Sequence, residues 1–184
     1  MKQTLEEMIV FHCSPTLAMM KPACMFSYPV TDKCDMDQQL RIQNQRLNHK
    51  GIYLHVLVKR DTYWLIFVYQ KALLEQHLFE EHINAFLFSY HYMYQNLNEA
   101  LSVLSEHMKE DDFPHEVGVF LGYPLEDVIS FIQNEGKNYT SLGYWKVYHN
   151  PVETMQLFER FSNCVENFLT KFHEGILLEN LITI

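Results

Sequence analysis

His12 and Cys13 are the first residues along the chain whose types and spacing could do chemistry. Ser14-Pro15 follows directly and predicts a helix start, with Ser14 as the cap and Pro15 at the first helical position. A thiol beside a helix N-terminus feels the positive end of the dipole. A neighbouring imidazole lowers its pKa further, and both effects favour the thiolate. His115, just before an apolar run at 116–121, is a second candidate base. Cys13 as nucleophile with His12 or His115 as base would make a thiol-dependent enzyme or a redox protein. Cys13 with nearby histidines would instead make a metal-binding protein. The same residues also fit plain structure: a small buried side chain at a helix junction, and a histidine bonded to a backbone carbonyl.

A second set of residues points to ligand binding rather than reaction. Glu116, Tyr123, Tyr144, Lys146 and Tyr148 fall within or beside two predicted strands, 116–121 and 143–148. On a strand, Tyr144, Lys146 and Tyr148 share one face, and Trp145 and Val147 share the other. The first face could line a flat pocket for a small ligand or a protein partner. It could equally be an outer cover over a core made by Trp145 and Val147. Other chemistry finds no template. His77, Glu80, Glu81 and His82 lack the spacing of a zinc protease or a di-iron site, and no metal ligand set follows from them. Gly136-Lys137 is not a phosphate loop, Gly118 and Gly122 do not form a dinucleotide fingerprint, and no Gly-x-Ser-x-Gly elbow occurs. The cofactor remains unknown, as does the oligomeric state.

The elements that must position these residues are legible in outline. The chain has 184 residues, 48% of them hydrophobic, which fits one domain spanning 1–184 with a real core. Its net charge is −9, with 14 Lys and Arg against 23 Asp and Glu. That balance argues against a broad phosphate footprint and hence against nucleic acid as partner. The longest apolar run, 63–69, is far below the roughly 20 residues of a membrane span, and the N-terminus has no leader pattern. Four cysteines at 13, 24, 34 and 164 show no Cys-x-x-Cys pair. A soluble cytoplasmic protein with free thiols is the expectation.

Thr4 to Glu7 has capping-box form and predicts a short helix to about Phe11, followed by the one starting at Ser14. Residues 23–28 read as a strand, and 35–49 as a helix stopped by Gly51. Alternation at 52–59 and 63–69 around Arg60-Asp61 predicts an antiparallel hairpin, with Ile52, Leu54, Val56 and Val58 on one face. Helices follow over 71–90 and 97–109. Pro124 opens a helix closed by Gly136. The longest helix spans 151–174, with Met155, Phe158, Phe161, Val165, Phe168, Leu169 and Phe172 in one stripe that packs on the sheet. Residues 177–184 form an apolar tail. The fold class is α+β: a single domain with a mixed or mainly antiparallel sheet of about four or five strands, covered by helices.

The stretch 113–132, FPHEVGVFLGYPLEDVISFI, with GYWKVY at 143–148 and His12-Cys13-Ser14-Pro15-Thr16-Leu17-Ala18, resembles an uncharacterised bacterial family, found mainly in clostridia: domain of unknown function 3793. The likeness covers nearly the whole chain. It implies one intact bacterial domain and carries no activity, substrate or cofactor. One departure stands out: Met19-Met20 follows Leu-Ala, where relatives usually have glycine.

Overall fold

The computed structural model describes residues 3–110 and 112–182. Helix α1 (Leu5–Leu17) opens on the expected reciprocal cap: Thr4 N donates to Glu7 Oε2 at 2.8 Å, and Glu7 N to Thr4 Oγ1 at 3.2 Å. It does not stop at Phe11. It runs through Pro15 as one helix, which corrects the expectation of two. Proline lies in the last turn, so the bond it removes is near the helix end anyway. Ser14 Oγ donates back to Val10 O, and Cys13 to Leu17 are all buried. Cys13 therefore sits near the carbonyl end of a helix, not at an amino end. Past the helix, Met19 has φ 58°, a left-handed conformation that glycine adopts without strain. This is the position where the resemblance leads one to expect glycine.

Strands β1 (Ala23–Pro29), β2 (Ile52–Lys59) and β3 (Tyr63–Gln70) form one antiparallel sheet in the order β1-β3-β2. The hairpin is as expected, apart from a register shift between Val56 and Val58. That bulge moves Val58 off the face of Ile52 and Leu54 and onto the opposite one. Trp64, Ile66 and Val68 of β3 face a core shared with α1, with α2 (Lys33–Leu47) and with the short α9 (Leu178–Leu181). Phe67 and Tyr69 face a second core. It is built with α3 (Lys71–Leu78), α4 (Glu81–Ser89), α5 (Leu97–His107), α6 (Val117–Phe120) and α7 (Leu125–Gln133). The result is a three-layer α+β arrangement, with helices on both faces of a small sheet. Arg46 of α2 ties the first layer together by pairing with both Glu6 and Glu179.

Two corrections concern the site. Residues 116–121 are not a strand: the chain makes a turn and then the four-residue helix α6. Every residue from Glu116 to Leu121 is buried, so no period-two alternation is present to support a sheet edge. Residues 143–148 are not one strand either. A two-residue pair, β4 (Ser141–Leu142) with β5 (Lys146–Val147), is joined through Gly143, Tyr144 and Trp145.

The final long helix α8 (Pro151–His173) packs mainly on α1 rather than directly on the sheet. Phe158 and Phe161 of its stripe are buried with Trp145 and Val147. Phe168, Leu169 and Phe172 are half-buried against the first core, and Met155 is exposed. The expected apolar tail is tucked in from Leu178 onward: Leu178, Leu181 and Ile182 are buried, Leu177 is exposed, and the last two residues of that stretch lie outside the described residues. No helix among the described residues is long and apolar enough to cross a membrane.

Candidate functional site

A cavity of about 320 Å³ opens where α6, α7 and the β4–β5 loop meet. Asp127 builds it. This carboxylate lies in the first turn of α7 and is 2% exposed. Its Oδ2 accepts Trp145 Nε1 at 2.8 Å, and its Oδ1 accepts the backbone N–H groups of Tyr148 and His149, each at 2.9 Å. One side chain thus fixes both the indole and the exit of β5. Trp145 then stacks on Tyr123 (centroids 4.8 Å) and meets Phe158 edge-on at 4.5 Å. Gly143 permits the last contact, because a Cβ there would lie 2.2 Å from the Phe158 ring. Gly118 of α6 is similarly tight: a Cβ would stand 3.0 Å from Val128 and 3.1 Å from Tyr123.

Rings dominate the walls. Phe113, His115, Tyr123, Phe131, Tyr144 and Trp145 line the cavity with Val117, Leu121, Val128 and Leu142. His115 packs against Phe131 at 5.0 Å. Lys146 Nζ donates to Gly136 O at 2.7 Å and lies over the rings of Phe131 and Tyr139. Burial pushes the Tyr123 phenol up to about 12, so it remains a neutral donor, reaching Tyr144 O at 3.3 Å. Asp127, Tyr123 and Lys146 are engaged in holding the walls, and among the lining residues no nucleophile stands beside a base.

Of the residues singled out by sequence, the fold gathers His115, Tyr123, Tyr144 and Lys146 around this one cavity. Glu116 points elsewhere. It is buried, accepts the Tyr92 hydroxyl at 3.1 Å and lies 3.3 Å from His107 Nδ1. Burial and the Glu116 charge push the Tyr92 phenol pKa well up. Tyr148 contributes its backbone N–H to Asp127 rather than a wall. Asp127, Phe113 and Phe131 are not among the residues that the sequence singles out. The signal available for Asp127 was a carboxylate followed eighteen residues later by a tryptophan that needs an acceptor when buried.

His12 and Cys13 lie elsewhere. Cys13 is fully buried and disulfide-bonded to Cys24 of β1, with Cα atoms 5.7 Å apart. The expectation of four free thiols is corrected for these two; Cys34 and Cys164 are free. His12 stacks on Phe26 at 5.2 Å, and burial lowers its pKa. Cys13 and His115 share neither the 320 Å³ cavity nor its neighbour. Among the described residues, no group of three or more His, Cys, Asp or Glu side chains could hold a metal ion.

Alkylation reads this arrangement directly. In the native, unreduced protein iodoacetamide should modify the exposed Cys34 first. Cys164 should react more slowly, because burial pushes its thiol pKa up. Cys13 and Cys24 should react only after reduction and denaturation. Peptide mass spectrometry that found Cys13 alkylated without reductant would contradict the pairing.

The site defines the chain as a small three-layer α+β protein with a ring-lined cavity held by a buried carboxylate. The chain belongs to the family described as protein of unknown function DUF3793, whose model matches residues 9–182. No curated protein and no solved structure matches it.

Proposed function

We propose that the protein is a small-ligand binding module, and that the cavity between α6, α7 and the β4–β5 loop is its binding site for a flat, uncharged aromatic compound. One observation carries this reading: six rings converge on a single cavity of about 320 Å³, within the size range of small-molecule pockets. A concave site of this kind suits a small molecule better than a protein surface. Asp127, Tyr123 and Lys146 of its wall are already hydrogen-bonded, and the converging rings favour a ligand recognised by stacking. A free Cys13 nucleophile would require prior reduction of its bond to Cys24. The cytoplasmic setting expected from the sequence must accommodate that same disulfide, which reducing compartments disfavour. Mapping the Cys13–Cys24 state by non-reducing mass spectrometry of freshly lysed cells would decide the compartment.

5-Fluoroindole, followed by ¹⁹F NMR, is a suitable probe. It should bind the wild-type protein saturably. Leu142→Trp, at an exposed position on the cavity mouth, should abolish binding without lowering the unfolding midpoint. Equal binding by wild type and variant would place the ligand elsewhere and sink the proposal.

A further inference from the structure

Behind the wall of Met25, Leu121, Tyr123 and Tyr144 lies a second cavity of about 330 Å³, also lined by Phe11, His12, Lys21, Cys24 and Val165. We infer that this second cavity binds an aromatic monocarboxylate, with the ring between Phe11, Tyr123 and Tyr144 and the carboxylate on the Lys21 ammonium. The site is separate from the one proposed above and its ligand has different chemistry.

Lys21 is the reason. The chain carries nine more negative than positive charges, so its cations have carboxylates in excess to pair with. Lys33, Arg46, Lys59, Lys109 and Lys137 all pair with one. Lys21 does not: among the described residues it is in no ion pair. Its ammonium instead lies 5.1 Å from the centre of the Tyr123 ring, half-buried in a cavity with apolar walls. Burying an ammonium that has no counter-charge is costly, because burial penalises the charged form. The ring quadrupole offsets part of that cost. A ligand carboxylate would supply the missing charge, and the surrounding rings would hold the rest of the molecule.

The pKa of Lys21 follows the same physics. Burial lowers it from its ordinary value to about 8. At about pH 7 the amine is still mostly protonated and attracts an anion. As the pH rises through about 8 the charge is lost, and carboxylate affinity should fall with it. Other groups do not reproduce this profile. Burial keeps His12 neutral above its ordinary value, and the Tyr123 phenol stays protonated until about 12. Tyr144 is the remaining hydroxyl on the wall. Cys24 is in the disulfide and does not titrate. On the far side of Lys21, His77 and Glu80 line a third cavity with it. Glu80 is shared there between His77 Nδ1 at 3.9 Å and His82 Nε2 at 3.7 Å, and burial lowers the His77 pKa.

The test compares two probes of one shape, 4-fluorobenzoate and 4-fluorobenzamide, titrated by ¹⁹F NMR. At about pH 7 the benzoate should bind at least about tenfold more tightly, since one charge-assisted contact is worth that much. The preference should vanish in Lys21→Met, survive in Lys21→Arg, and decline by about pH 9.5. Leu142→Trp should leave it unchanged, which keeps failure here distinct from failure of the first cavity. Equal affinity for the two probes, no benzoate binding, or an undiminished preference in Lys21→Met at unchanged thermal midpoint would each overturn the inference.

Discussion

Asp127→Ala should lower the unfolding free energy by about 3–5 kcal/mol, the range for removing one partner from a buried, charge-assisted network. The substitution leaves three donors without their acceptor: Trp145 Nε1 and the N–H groups of Tyr148 and His149. His149 is exposed and recovers a water, so the loss is concentrated on the indole, in a residue 8% exposed, and on Tyr148 N–H. Asp127→Asn keeps the size and can still accept both backbone groups through its oxygen. Its NH₂ then faces the indole N–H, donor against donor, and the cost should be smaller, about 1–3 kcal/mol. Trp145→Phe removes the clash, so Asp127→Asn should cost less in that background. Urea melts of wild type, Asp127→Asn, Trp145→Phe and the double variant give the coupling, and Asp127→Ala is melted beside them. A loss under about 1 kcal/mol for Asp127→Ala would mean the hairpin is held by its ring contacts alone. The same variant should lose 5-fluoroindole binding, because Trp145 and Tyr144 form part of the cavity wall.

The parts of this structure that were readable in the sequence are those where one period repeats long enough. The β2–β3 hairpin and its Trp64, Ile66, Val68 face follow from alternation over eight-residue strands. The α8 stripe follows from helical spacing over 23 residues. Short elements carry too few repeats for a period to declare itself. Val117, Val119 and Phe120 have strand propensity, yet they close a four-residue helix because all sides of it are buried. Ser14-Pro15 reads as the start of a new helix in the sequence, whereas burial of Cys13 to Leu17 carries α1 through it. The Cys13–Cys24 bond had no spacing signature. It depends on the turn at 18–22 bringing the end of α1 beside β1, which is a tertiary fact. Apart from Met25, the cavity is lined by the stretch 113–148, which concentrates turns and aromatics in the sequence. Its organising residue is not legible there, because a carboxylate at a helix start looks the same whether it faces water or accepts three buried donors. Lys21 carries no signal in the sequence. Its missing counter-charge shows only once the neighbours are known.

Phe161→Ala tests how α8 is held. Phe161 is 2% exposed and packs with Trp145, Val147 and Phe158, its ring meeting Tyr144 edge-on at 5.2 Å. Truncation removes the transfer energy of a full ring and leaves a void that the Trp145–Phe158 contact resists filling, because both rings are already fixed, one by Asp127 and one by Gly143. The expected cost is about 3–5 kcal/mol. Phe161→Leu retains most of the volume and should cost well under half of that. The two readings of α8 separate here. If the helix were a peripheral strap on α1, only its half-buried Phe168, Leu169 and Phe172 would matter and Phe161→Ala would cost under about 1 kcal/mol. If the aromatic cluster anchors it, Phe161→Ala should exceed Phe172→Ala severalfold, since Phe172 keeps partial contact with water in the folded state. Tyr144 also walls both cavities, so loss of its Phe161 contact should weaken 5-fluoroindole and 4-fluorobenzoate together, which neither Leu142→Trp nor Lys21→Met does. Denaturant melts of the three phenylalanine variants, with the two ¹⁹F titrations on Phe161→Leu, would show whether one cluster supports the helix and both sites.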